Sequence, residues 1–118
     1  MFEKKVIVPH KVRKISNSFS FIPHRFMRDG FWSSLSSSEL LLYLFLVTVS
    51  DNNGMSYYGS KKICSLLYFS NDEYVDARDR LIARKLIAHD NVFFQVLELP
   101  AKPVKALPEK CIKYGVKR

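Results

Sequence analysis

The chain has little cysteine, and none in the spacings that cysteine chemistry needs. Cys64 lies inside an apolar run and Cys111 in a basic tail, so there is no disulfide framework and no CxxC pair. A reducing cytoplasm is the compartment expected. Long hydrophobic runs are lacking as well. The longest, Leu40 to Val47, falls far short of the roughly 18 to 20 residues a bilayer crossing needs. The start, Met1-Phe2-Glu3-Lys4-Lys5-Val6-Ile7-Val8-Pro9, has charge but no apolar stretch of secretory-signal length behind it. A soluble protein away from membranes is expected. The histidines, His10, His24 and His89, stand far apart, and none is at i,i+3 or i,i+4 from another His, a Cys or a paired carboxylate, so no metal is expected. GxSxG, HExxH and Cys/His signatures are missing. The segment from Gly54 to Lys61 has the glycine spacing of a phosphate loop, but its Lys and hydroxyl stand in the wrong order. Tyr57 and Tyr58 also occupy the place where backbone amides must wrap phosphate. Neither a cofactor nor catalysis is expected, and Cys64 reads as a small core residue rather than a nucleophile.

What is present is enough for one compact domain. The 118 residues are 47% apolar, 14% aromatic and 25% charged, a mixture that excludes disordered, collagen-like and coiled-coil chains. The net charge of +8 favours polyanionic partners. Its distribution is uneven. Residues 1–28 carry seven Lys/Arg and one Glu, residues 100–118 six and one, and residues 29–99 six basic against nine acidic groups. The reading is a mildly acidic body at 29–99 between a basic N-terminal arm and a basic, Pro/Lys-rich C-terminal tail. With Pro100, Pro103 and Pro108 among spaced lysines, the tail is expected to be extended and solvated. It serves either to solubilise the chain or to touch phosphates.

No internal repeat is visible. Over residues 15–22, Ile15, Phe19 and Phe21 alternate with three serines, which predicts an extended segment or short strand laid on the body. An irregular or short helical stretch follows from His24 to Trp32. Ser36 with Glu39 three residues later forms a capping box ahead of a helix to about Ser50. That helix is apolar nearly all round, which places it centrally or in a subunit contact. Asp51-Asn52-Asn53-Gly54 ends it with turn chemistry. A brief strand is predicted over residues 55–58, then a helix capped by Ser60 and running through Leu67. Ser70 with Glu73 opens a third helix to roughly Arg84. Residues 86–89 and 92–99 flank Asp90-Asn91, two residues that tolerate positive φ, so a β-hairpin closes the order.

Helix, short strand, helix, turn, helix and hairpin over residues 35–99 resemble a winged helix-turn-helix domain, an α+β fold with a three-helix core and a β-hairpin wing. Ile63-Cys64-Ser65-Leu66-Leu67-Tyr68-Phe69-Ser70 looks like the first helix and turn of that unit, with Tyr74, Ala77 and Leu81 at inward positions. The stretch from Phe26-Met27-Arg28-Asp29-Gly30 to Gln95-Val96-Leu97-Glu98-Leu99-Pro100 is similar to small bacterial helix-turn-helix proteins of plasmids and transposable elements, related to replication-initiator winged helices. The resemblance implies a non-enzymatic protein that binds double-stranded DNA in regulation or replication initiation. Two positions depart from the family pattern: Tyr68 stands where the turn usually has Gly, and Lys85 where Gly usually ends the recognition helix.

The face of that helix taken as outward carries Asp72, Glu73, Asp76 and Asp79, with Asn71 and Arg80 the only base-reading residue types. Carboxylates there oppose the phosphate field. Early acids and late Arg84-Lys85 also suit the helix dipole, and Asp76 with Arg80 is an i,i+4 pair. The candidate DNA-contacting cations are Lys61 and Lys62, either meeting a phosphate at a helix start or simply solvated. The arms add Lys4, Lys5, Lys11, Arg13 and Lys14 at one end, and Lys102, Lys105, Lys110, Lys113, Lys117 and Arg118 at the other. Contact through arms is strongly salt-dependent and weakly sequence-specific. The alternative is a winged-helix interaction module whose acidic face docks a basic protein. In either case a homodimer remains open, because helix-turn-helix proteins often bind paired half-sites.

Overall fold

The computed structural model describes residues 4–14 and 18–106. Ile15 and the tail residues Lys110, Cys111, Lys113, Lys117 and Arg118 lie outside them. The described chain is α+β. A 3-10 turn at Pro9–Lys11 precedes α1 (Arg25–Arg28), α2 (Phe31–Ser34), α3 (Ser37–Val49), β1 (Met55–Ser56), α4 (Ser60–Leu67), α5 (Asn71–Ala83), β2 (Ile87–His89) and β3 (Phe94–Val96). The strands form one antiparallel sheet in the order β1-β3-β2.

The long helices begin where side chains can replace missing backbone acceptors. Ser36 accepts from the Glu39 N–H while the Glu39 carboxylate accepts from the Ser36 N–H, and Ser70 and Glu73 repeat the arrangement on α5. The helix α4 starts differently. Its N-cap is Gly59, with Ser60 already in the first turn and no side chain bonding the end. Tyr68 closes α4 at φ 59 and Lys85 follows α5 at φ 63, so both non-glycine residues adopt the left-handed geometry that a glycine would ease.

The central helix is α3. Leu42 and Leu46 are fully buried among Ile63 of α4, Tyr74, Ala77 and Leu81 of α5, and Leu86, Ile87 and Phe94 of the sheet region. The body also begins before residue 29. Phe26 of α1 stacks on Tyr43 at 5.0 Å between ring centroids and on Phe31 at 6.1 Å. Burying a phenylalanine stabilises by about 2 kcal/mol, whereas a four-residue helix is unstable by itself. Packing therefore holds α1.

Besides the α4 cap, which is Gly59 and not the expected Ser60, four local features differ from the sequence expectation. In the 18–22 segment no strand forms. Ser20 and Ile22 face the body, Ser20 donating to the Thr48 carbonyl at 3.2 Å, while Phe19 and Phe21 are exposed. The strand β1 spans two residues rather than four, and Gly54 ahead of it, at φ 82, approaches β3 so closely that a Cβ there would stand 2.6 Å from the Val96 carbonyl oxygen. The hairpin turn takes four residues rather than two. Asp90 and Asn91 do not adopt positive φ; instead the Asp90 carboxylate accepts from the Val92 and Phe93 N–H groups at 3.0 and 2.9 Å, and His89 pairs with Phe94. Finally, residues 99–104 are fastened to the body. Arg25 donates to the Leu99 and Pro100 carbonyls at 3.0 and 2.6 Å, and Arg84 donates to the Val104 carbonyl at 3.3 Å.

Candidate nucleic-acid interface

Lys61 and Lys62 lie in the first turn of α4, both exposed, and neither makes an ion pair among the described residues. Local sequence explains their freedom. They follow Gly59 and Ser60, and α4 has no acidic residue in its first turn. Asn71, the first residue of α5, is exposed too.

Lys85, after α5, is likewise exposed and makes no ion pair among the described residues, whereas the three arginines of residues 29–99 are engaged. Arg78 lies over the Tyr74 ring, 5.5 Å from its centroid, and pairs with Asp79 at 3.0 Å. Arg84 donates its Nε to Glu39 at 2.9 Å. Arg80 turns toward the seam between α3 and α5, with Nε 3.2 Å from Asp76 and 4.0 Å from Glu39, the latter a buried carboxylate. Its guanidinium thus lies between an exposed carboxylate of its own helix and a buried one of α3. The i,i+4 pair with Asp76 is present. Asp72, Glu73, Asp76 and Asp79 are exposed, with Glu73 occupied in the capping box.

Lys4, Lys5, Lys11, Arg13 and Lys14 are all exposed, as are Lys102 and Lys105. The latter two flank Val104, so they emanate from a segment held by Arg84. On α3, Leu41 is the apolar side chain left most open.

Burial raises the Tyr43 hydroxyl to about 12 and also raises Tyr74, where the hydrogen bond and charge of Arg78 act in the opposite sense. The Asp90 carboxyl is held below the usual range, first by the Phe93 N–H and then by that of Val92. Among the described residues no group of three His, Cys, Asp or Glu side chains is gathered for a metal, and no helix is long and apolar enough to cross a membrane. Cys64 is half-buried against the core, its Sγ 3.9 Å from the Ser70 carbonyl oxygen. A groove of about 790 Å³ runs between the 18–25 segment, the end of α3 and residues 96–99, with Phe19, Tyr43, Val47 and Asn53 along it.

The sheet adds residues the sequence reading did not single out. Ser56 opposes Phe94, so Tyr57 and Phe93 stand opposite each other one step further on, their rings 5.7 Å apart. The neighbouring Tyr58 and Phe94 face inward, Tyr58 against Phe45 and Phe94 against His89. The signal available in the sequence was the pair of aromatic dipeptides Tyr57-Tyr58 and Phe93-Phe94, in which alternation sends one ring of each to each face. Compared with protein-family models, curated proteins and solved structures, the chain matches none.

Proposed function

We propose that the chain is a non-enzymatic winged helix-turn-helix protein that binds double-stranded DNA chiefly through the phosphate backbone, in regulation or replication initiation. Support for the layout comes from the order of α3, β1, α4, α5 and the hairpin, with a left-handed turn at Tyr68 between α4 and α5. The observation that carries the binding mode is the division of the cations. Arg78, Arg80 and Arg84 are drawn to carboxylates, while Lys61, Lys62, Lys4, Lys5, Lys11, Arg13, Lys14, Lys102 and Lys105 are exposed. Open cations attract phosphate whatever the base sequence, and arginines engaged with acids read bases poorly.

The test is fluorescence anisotropy of the full chain on random duplex DNA between about 50 and about 200 mM salt, where phosphate contacts change affinity steeply. Replacing Lys61 and Lys62 together by Ala should weaken binding and reduce the slope of log affinity against log salt by about 2. Neutralising Lys4, Lys5, Lys11, Arg13 and Lys14 to Gln should reduce it further. An unchanged slope removes the substituted residues from the interface. Absence of binding at the lower salt overturns the reading. The second reading, a module docking a basic protein, is favoured by Asp72, which is exposed and makes no ion pair among the described residues; it predicts capture of a basic partner that Asp72→Asn weakens.

A further inference from the structure

The outer face of the three-stranded sheet carries two exposed aromatic rings. Residues paired across an antiparallel ladder share a face, and residues two apart on one strand share it as well. Met55 opposes Gln95, and Ala88 opposes Gln95 from the other side. Tyr57 and Phe93, two positions along, therefore lie on the face of Met55, Ala88 and Gln95, while Ser56, His89 and Phe94 belong to the other. Tyr57 is 69% exposed and Phe93 45%, and Gln95 between them is exposed. Burial of two aromatic rings stabilises a fold, yet these two stand in solvent.

Their chemistry and position point to one class of occupant. Two aromatic planes within reach of each other offer stacking surfaces, and the Gln95 amide supplies both a donor and an acceptor for a polar edge. A carboxylate adjoins them: Asp90, across from Phe93, is turned back to accept from the Val92 and Phe93 N–H groups at 3.0 and 2.9 Å. Four residues after Tyr57 the chain presents Lys61 and then Lys62, exposed and without ion pairs among the described residues. Stacking rings with ammonium groups four and five residues further along the chain suit a strand whose bases are uncovered and whose backbone is charged. We propose that this face binds unpaired nucleobases, with Tyr57 and Phe93 as the stacking residues, Gln95 bonding a base edge and Lys61-Lys62 meeting the adjoining phosphates. The inference rests on the nucleic-acid reading above and narrows it to DNA in which bases have been opened.

The experiment uses the full chain and labelled oligonucleotides of one sequence as perfect duplex and as duplex with a central unpaired bubble. The wild type should bind the bubble about tenfold more tightly, the scale of one or two base stacks. In the double variant Tyr57→Leu/Phe93→Leu, which keeps apolar bulk, that preference should vanish while affinity for perfect duplex is unchanged. A 2-aminopurine in the bubble should be quenched by the wild type and not by the variant. Circular dichroism melting confirms that the variant is folded, and if it is not, Gln95→Ala with the same probes takes its place. Equal binding of bubble and duplex by the wild type overturns this inference and leaves the duplex reading standing, whereas loss of binding to both overturns the two together. A preference that survives the double variant also overturns it. So does a sedimentation result in which the wild type is a dimer and the variant a monomer, since the face is then a contact between copies.

Discussion

Tyr68 and Lys85 are the two non-glycine residues with left-handed backbone among the described residues. That conformation costs an L-residue about 1–2 kcal/mol, and glycine removes the cost while adding freedom to the unfolded chain. Both side chains are open, Tyr68 at 92% exposure, so little packing is lost on removal. Tyr68→Gly and Lys85→Gly should each stabilise the fold by about 0.5–1 kcal/mol in urea unfolding. A loss of stability would show that the side chains hold contacts worth more than the strain. At Tyr43 burial has a pH consequence. Its hydroxyl is raised from 10.0 to about 12, so the folded state favours the neutral form. The associated stability is fully present below pH 10 and is lost as pH rises through about 12. Absorbance titration should resolve a late-ionising tyrosine that Tyr43→Phe removes, together with a shallower alkaline decline in stability.

Between elements, the strongest polar tie joins α3 to α5. Glu39 caps α3 and is 2% exposed, and it receives Arg84 at 2.9 Å with Arg80 nearby. Removing one member of a buried pair strands the other, so Glu39→Ala should destabilise by about 3 kcal/mol. Glu39→Gln keeps an acceptor and should cost less. Thermal unfolding of the two variants gives the comparison. This tie also shows what could be read from sequence. The Ser36/Glu39 and Ser70/Glu73 boxes were legible because each is complete within four residues, and the inward positions of Tyr74, Ala77 and Leu81 because helical periodicity announces them. The partner of Arg84 was not, since it lies 45 residues away. Alternation around Phe19 and Phe21 revealed two faces without saying which one meets the body, and there the hydroxyl of Ser20 and the bulk of Ile22 turned inward. The outer sheet face was hidden for a related reason, since it exists only once β1 and β3 are paired across 38 residues or more. Of the candidate interface, Lys61, Lys62 and Asn71 were legible as exposed helix-start residues. The Arg80 pair with Asp76 was legible as an i,i+4 spacing, whereas its 4.0 Å approach to Glu39, a residue of another helix, was not.

For the whole molecule, the consequential feature is the fastening of residues 99–104. Arg25 bonds the Asp29 carboxylate at 3.1 Å, lies 5.3 Å from the Phe31 ring centroid and holds two carbonyls of the chain's return. Arg84 holds a third. The first and last packed segments are thereby closed on each other, and the basic extensions leave from a fixed frame. A genetic experiment should separate frame from extension. A stop codon at Leu99 leaves two guanidinium groups short of their carbonyl acceptors, and such an allele should behave as an absent protein, recoverable only at low growth temperature. A stop codon after Ala106 spares every one of those bonds and should yield a normal level of protein, whose loss of DNA binding is then assigned to residues 107–118.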